Sequence, residues 1–362
     1  MNVKSDSRLF SATAIVKSLL AFLFLSFVGI HDGLRAVSKD SLRYPVQKLV
    51  DRHPIKVNIN KAWEKKAEQK LLPRPLVNGG SVFAAFQPGI IEAYGAADGH
   101  LIWRKEMPGM NGLIAALESS ILVKDHEKLI ALSEKNGDLL WEVDVGSDFL
   151  YSTVKTDGGV SMVALLKGNI LFGLNMTDGS MKKVSELRMG LERPTAFSFD
   201  GKRNVALVFE NRTVSIFSIK RGKKLWSFRG GSRVLAAPLI WPRRIVVMCE
   251  DNFFYCLTLK KGHQVFRKKS ENRLLNDGVK LRGLLLFSPF ASRNLSSFNI
   301  STGTIQPLFS LEQERHYFIT APSFSEGYLA CSYSDFFSGS DFIINFSVII
   351  EEVPRERTSS KP

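Results

Sequence analysis

The chain has 362 residues, 44% hydrophobic and 23% charged, with mean hydropathy −0.01. That is the composition of a soluble globular chain, which excludes a wholly disordered or membrane-embedded one and allows a large buried core. A net charge of +14 makes anionic partners relevant, and three cysteines without a CxxC exclude a disulfide scaffold.

Residues 1–30 read as a targeting segment. Lys4, Arg8 and Lys17 form a basic flank, and residues 18–30 are a 13-residue apolar run. That length suits a signal-peptide core better than a full span of about 20 residues. Counted from residue 9, the same stretch leaves the alternative of an uncleaved hydrophobic helix anchoring the chain in the inner membrane. The flank should stay cytoplasmic and the remainder be exported, giving a periplasmic domain. Residues 31–56 mix charges with Pro45 and Pro54 and read as a linker.

Residues 57–66, VNINKAWEKK, look like an outer strand bearing Trp63 with no hairpin in front of it. Next, residues 91–106, IEAYGAADGHLIWRKE, alternate into an Asp-Gly turn and out again, as a β-hairpin does. Trp103 is read as covering that hairpin's outer strand. The turn glycine, Gly99, returns as Gly137, Gly179, Gly222, Gly262 and Gly303, at spacings of 38, 42, 43, 40 and 41 residues. This is the length of one β-propeller blade.

Each of the six units reads as four strands. In the first they are residues 75–77, 82–86, 90–94 and 101–105; in the fifth, 238–241, 245–249, 254–259 and 264–268. The outer-strand aromatic is Trp103, Trp141, Trp226 and Phe266, and it is lost in units three and six. A seventh unit has strands at 319–324, 328–333 and 342–349 but no fourth, because a charged tail is expected over 351–362. Pairing 57–66 with 342–349 supplies the missing strand and closes the ring, removing an open edge. The expected fold is therefore all-β: a monomeric seven-bladed propeller of four-stranded blades over residues 57–350.

Cys249 and Cys256 fall on consecutive strands of one blade, so a disulfide is open to them. Behaviour as buried small hydrophobes is the expectation for all three cysteines, Cys331 included.

The repeat, with best copies at Asp98-Gly99…Trp103, Asn136-Gly137…Trp141 and Arg221-Gly222…Trp226, resembles the pyrroloquinoline-quinone (PQQ) type of propeller repeat. Two kinds of protein share it: quinoprotein dehydrogenases, and non-catalytic scaffolds of the BamB type that serve outer-membrane protein assembly. The resemblance to the dehydrogenases implies an adjacent Cys-Cys and a Ca²⁺ site of converging oxygens. This chain has no Cys-Cys, and Asp98, Asp138 and Asp178 sit at hairpin turns, where Asp serves turn chemistry. No catalytic motif is visible, the histidines are scattered, and no cofactor, metal or catalytic residue is expected.

The sequence around 185–197 is similar to the assembly scaffold's loop between its third and fourth blades. That resemblance implies Leu187 and Arg188 as the positions presented to a β-barrel assembly partner. The acidic pair of the family's next loop is missing, since 230–237 reads GGSRVLAA. A second surface comes from charge. Residues 220–282 hold sixteen Lys and Arg against four acids, a net of +12. A blade's first and last turns lie on one face of the disc, so Lys220, Arg221, Lys223, Arg243, Arg244, Lys260, Lys261 and Arg282 should form a basic patch, opposite the face bearing Leu187. Such a patch suits a lipid headgroup, an acidic protein or another polyanion. Nucleic acid is not expected for an exported chain. The leading reading is an interaction scaffold of the cell envelope; the alternatives are a PQQ-dependent dehydrogenase and a polyanion- or headgroup-binding propeller.

Overall fold

A computed structural model describes residues 55–352, apart from 73, 118 and 156–160. The expected targeting segment and nearly all of the expected linker and tail lie outside the described residues. Among the described residues there is no helix, and none long and apolar enough to cross a membrane.

Six four-stranded antiparallel sheets follow one another along the chain, each ordered as its strands occur in sequence. Blade one is Leu76–Asn78, Ser81–Phe86, Ile90–Gly95 and Leu101–Glu106. Blade five is Leu239–Ile240, Arg244–Met248, Phe253–Thr258 and Gln264–Lys269. The middle strands are buried on both faces, which explains runs such as SVFAAF and RIVVM. The outer strands alternate or stay exposed, as in LIWRKE.

The seventh sheet is shared between distant parts of the chain. Ile55–Lys66 pairs antiparallel with Asp341–Glu352, from Ile55 opposite Glu352 to Lys66 opposite Phe342, with a bulge between Lys61 and Trp63. Both strands run further than the alternation alone suggests: Lys56 faces Glu351, so the first acids of the expected tail are strand residues. The inner strand expected over 319–324 is broken into His316–Phe318 and Ser323–Ser325. Pro322 has no N–H to give the ladder there. Thr320 and Ser332 join their hydroxyls at 2.8 Å across the gap, and Ile319 N donates to Ser332 O at 3.1 Å.

The apolar core is divided into seven clusters, each lying between two consecutive blades. One unites Val77, Val82 and Tyr94 of blade one with Ala330 and Ile343 of blade seven, so the ring is closed.

The repeat signature acts between blades, which corrects the reading of Trp103 as a cover for its own hairpin. Trp103 Nε1 donates to Glu134 O of blade two at 2.8 Å, and its ring lies 3.0 Å from where a Cβ on Gly137 would stand. Trp63, Trp141 and Trp226 repeat the arrangement with Ala96, Met176 and Leu259 as acceptors and Gly99, Gly179 and Gly262 beneath the rings. Each acceptor lies three residues before its glycine. The glycine is needed twice, for its positive φ of about +70° and for the room its missing side chain leaves. A β-bulge just before the aromatic swings it toward the next blade; in blade one Ala93 faces Trp103 and Tyr94 faces Leu101, leaving Ile102 unpaired.

Candidate interaction surfaces

The basic turns come together through backbone hydrogen bonds. In blade five, Leu259 N donates to Arg243 O at 3.0 Å, tying the first turn to the turn that carries Lys260 and Lys261. Trp241 Nε1 reaches Arg282 O of blade six at 2.8 Å, and Trp226 of blade four holds Leu259 O at 2.9 Å. Lys220, Arg221, Lys223, Arg243, Lys260, Lys261 and Arg282 are exposed along this line. Arg244 is half-buried, its guanidinium 3.7 Å from Cys256 Sγ and 6.0 Å from the Phe266 ring, and so belongs to the blade wall. Among the described residues, Lys220, Arg221, Lys223, Lys260 and Lys261 form no ion pair. Their charges therefore add.

The expectation for Leu187 is overturned. Its side chain is fully buried, packed with Leu171, Phe197, Leu207 and Phe217 between blades three and four. Only Arg188 is exposed. Nor do the two lie across the disc from the basic turns: Arg188 N donates to Gly222 O at 2.7 Å. The cause is the missing tryptophan of blade three. Its bulge falls at Val184, two residues later than in the blades that keep the aromatic, because Leu171 faces Ser185 while Phe172 faces Lys183; blade six, which also lacks the aromatic, shows the same displacement at Leu308. Ser185 Oγ then donates to Ile219 O at 2.7 Å, the bond an indole makes in the neighbouring blades. Without a ring between them, the turn of blade four settles on the main chain at Glu186 and Leu187. Arg188 thus joins Lys220, Arg221 and Lys223.

Other exposed groups had no clear signal in the sequence. The loop after blade three carries Leu191, fully exposed, and the loop after blade four carries Leu235, 45% exposed. In blade seven, Phe336 and Phe337 are 71% and 80% exposed on a turn that Asp335 caps through the amides of Phe337 (2.9 Å) and Ser338 (3.1 Å). Arg315 holds the same carboxylate at 2.9 Å.

The residues for quinone and calcium chemistry do not fit that cofactor. Among the described residues, no three His, Cys, Asp or Glu gather to hold a metal ion. Asp98 bonds the ring and then the amide of His100, and Asp178 the side chain and then the amide of Ser180, within their turns; these bonds hold both carboxyls below their usual range. Cys249, Cys256 and Cys331 are free and buried, with thiols pushed up by burial. Arg74 before blade one meets Asp277 before blade six at 4.0 Å, a pair that bridges the two blades flanking blade seven. Asp277 also accepts from Ala237 N at 2.7 Å.

With this geometry in view, the likeness to known proteins is specific in one direction. The family model for PQQ repeats described as outer membrane protein assembly factor BamB matches residues 87–182. The chain is 27% identical over 176 residues to the outer membrane protein assembly factor BamB of Yersinia pestis, covering 43% of each chain. It is 28% identical over 241 residues to that of Moranella endobia, covering 57% of this chain and 60% of the relative. The chain thus spans less than two thirds of the length of these curated relatives. Among solved structures, BamB from Moraxella catarrhalis superposes with a TM-score of 0.51 at 13% identity, over 79% of this chain and 97% of that one. The computationally designed Ika8 protein gives 0.52 at 14% identity, over 76% and 86%, so these likenesses speak for the fold alone. By repeat, fold and relatives, the chain is a BamB-like propeller of PQQ-type repeats.

Proposed function

We propose that this chain is a non-catalytic scaffold of the cell envelope that serves the assembly of outer-membrane proteins, holding a β-barrel assembly protein through the loops that leave blades three and four. The observation that carries this reading is the sequence likeness to assembly factors, which includes a family-model match over residues 87–182. The loops support it physically. Arg188, Leu191 and Leu235 place a cation and two exposed apolar side chains on consecutive connections, and apolar anchors beside an arginine are the common make-up of a protein-binding hot spot. Leu187 supports these loops from within and makes no contact itself.

The test is photocrosslinking from positions 188, 191 and 235 in intact cells, followed by identification of the captured protein. A β-barrel assembly protein captured from these positions, and not from Leu101 or Leu139 on the outer strands, is the expected result. Capture of no envelope protein, or dye reduction by the purified chain with pyrroloquinoline quinone and Ca²⁺, would overturn the reading.

A further inference from the structure

The junction between blades five and six differs from those around it. A tryptophan in an outer strand normally fills the space against the next blade, but here the aromatic is Phe266, over Gly303 at 2.9 Å from a would-be Cβ. Phenylalanine is smaller and has no N–H, so Ile300 O, the carbonyl an indole would hold, receives the Cys256 thiol at 3.8 Å instead. Across the junction, the third residue of Asn294–Asn299 is Ser296, where the matching strand of blade five has the bulky Tyr255. These two reductions leave a groove of about 470 Å³, lined by Phe266, Lys268 and Lys269 on one side and by Ser296, Thr304 and Pro307 on the other.

The groove has a defined polarity. Phe266 and Lys268 are two residues apart on one strand and so project to the same side, toward blade six. Lys268 and Lys269 are exposed and, among the described residues, make no ion pair. The carboxylate nearest to hand is committed: Glu271 takes Ser292 Oγ at 2.6 Å and Asn294 Nδ2 at 3.1 and 3.2 Å. Arg267 stands over the Phe253 ring at 4.9 Å on the strand's other side. The strand Gln264–Lys269 is also the last of its sheet, so its outer backbone groups have no strand beside them.

We infer that the groove between blades five and six binds an extended acidic segment of another polypeptide. Carboxylates of the segment pair with Lys268 and Lys269, alternate apolar side chains lie against Phe266 and Pro307, and the backbone runs along the free edge of Gln264–Lys269. An extended chain is the shape that reads a strand edge and a groove together, with pairing in the ladder and specificity in alternate side chains. The charge sign follows from the blade-five wall of the groove, which lies in the segment 220–282 that holds a net of +12. This site is separate from the loops of the assembly reading and stands or falls without it.

The experiment uses the full chain and a fluorescein-labelled octapeptide of alternating Glu and Val, followed by anisotropy at about 50 mM salt, where surface charge is weakly screened. The same peptide with Lys for Glu, and phosphatidylglycerol vesicles, serve as competitors. The acidic peptide is expected to bind, and Lys268→Glu/Lys269→Glu to weaken it about tenfold or more. Phe266→Trp, which fills the groove without changing any charge, should weaken it comparably. Lys260→Glu/Lys261→Glu, on the turn outside the groove, should stay within about twofold. Thermal melts accompany every variant, and Lys268→Gln/Lys269→Gln replaces the reversed pair if that pair fails to melt cooperatively. Equal weakening at both lysine pairs, or unchanged binding in Phe266→Trp, would overturn the site in favour of diffuse attraction. Vesicle binding that depends on Lys268 and Lys269 while the acidic peptide stays free would overturn the choice of a peptide.

Discussion

The indole of Trp63 donates to the carbonyl of Ala96 at 3.0 Å, and the buried amide of Asn345 donates to the same oxygen at 2.6 Å. A residue near the start of the described chain and one near its end therefore meet on a single acceptor in blade one. Trp63→Ala is expected to loosen that junction selectively. Hydrogen exchange should rise first in Ile90–Gly95 and Asp341–Glu352, while blades three to five keep their protection.

The pairing of Trp103 with Gly137 predicts a coupling. Trp103→Ala should cost about 3 kcal/mol of unfolding free energy through lost packing and a lost hydrogen bond. Gly137→Ala should cost about 1–3 kcal/mol, because a side chain there meets both a positive φ of 73° and the indole. Removing the ring removes half of the second penalty. A double-mutant cycle in urea should show the two costs to be less than additive.

That contact also marks how far the sequence could be read. The glycines, the aromatics and the orphan strand at Trp63 were enough for seven blades and ring closure, because the pattern recurs with its period intact. The destination of each indole was not legible, since the next blade stands about forty residues away and a bulge decides where the side chain swings. For Arg188 the reading failed for a similar reason. Alternation places it in a loop, but the two-residue displacement of the bulge to Val184 brings it against Gly222. The groove at Phe266 comes from what two positions lack, and a missing volume leaves a weak mark in a single sequence.

Leu187 and Arg188 should separate under mutation. Leu187→Ala empties a fully buried site and should cost about 2–4 kcal/mol in stability. Arg188→Glu, at an exposed position, should leave the urea midpoint nearly unchanged, within about 0.5 kcal/mol, while reducing partner capture. Loss of capture without loss of stability in Leu187→Ala would contradict its place in the core.

Glu250 predicts an acid-sensitive contact. Arg233 grips it with Nε at 2.9 Å and a second nitrogen at 3.1 Å, and Arg273 stands at 3.7 Å; these hold the carboxyl below its usual range. A carboxyl lowered in the folded state stabilises above its unfolded pKa, and the contribution disappears as pH falls through the lowered folded value. The urea midpoint should thus fall between about pH 5 and pH 3, and less steeply in Glu250→Gln.

The three thiols should be silent in the native state. Cys249, Cys256 and Cys331 are fully buried and their thiols are pushed up by burial. A disulfide-exchange reagent should label them only as fast as the chain unfolds, and labelling at the rate of a free thiol would refute their placement.

The shared seventh sheet carries a consequence for timing. Ile55–Lys66 leaves the ribosome some 280 residues ahead of Asp341–Glu352, its only strand partner among the described residues. Six sheets can form as they emerge, each from neighbours in sequence, but the seventh must wait for the whole ring. Until then the earliest strand is an open edge carrying Ile55, Val57 and Ile59. The interval between those two events is the period in which the nascent protein is most exposed to mispairing and most in need of protection. A shortened chain lacking residues 342–352 would remain in that state permanently.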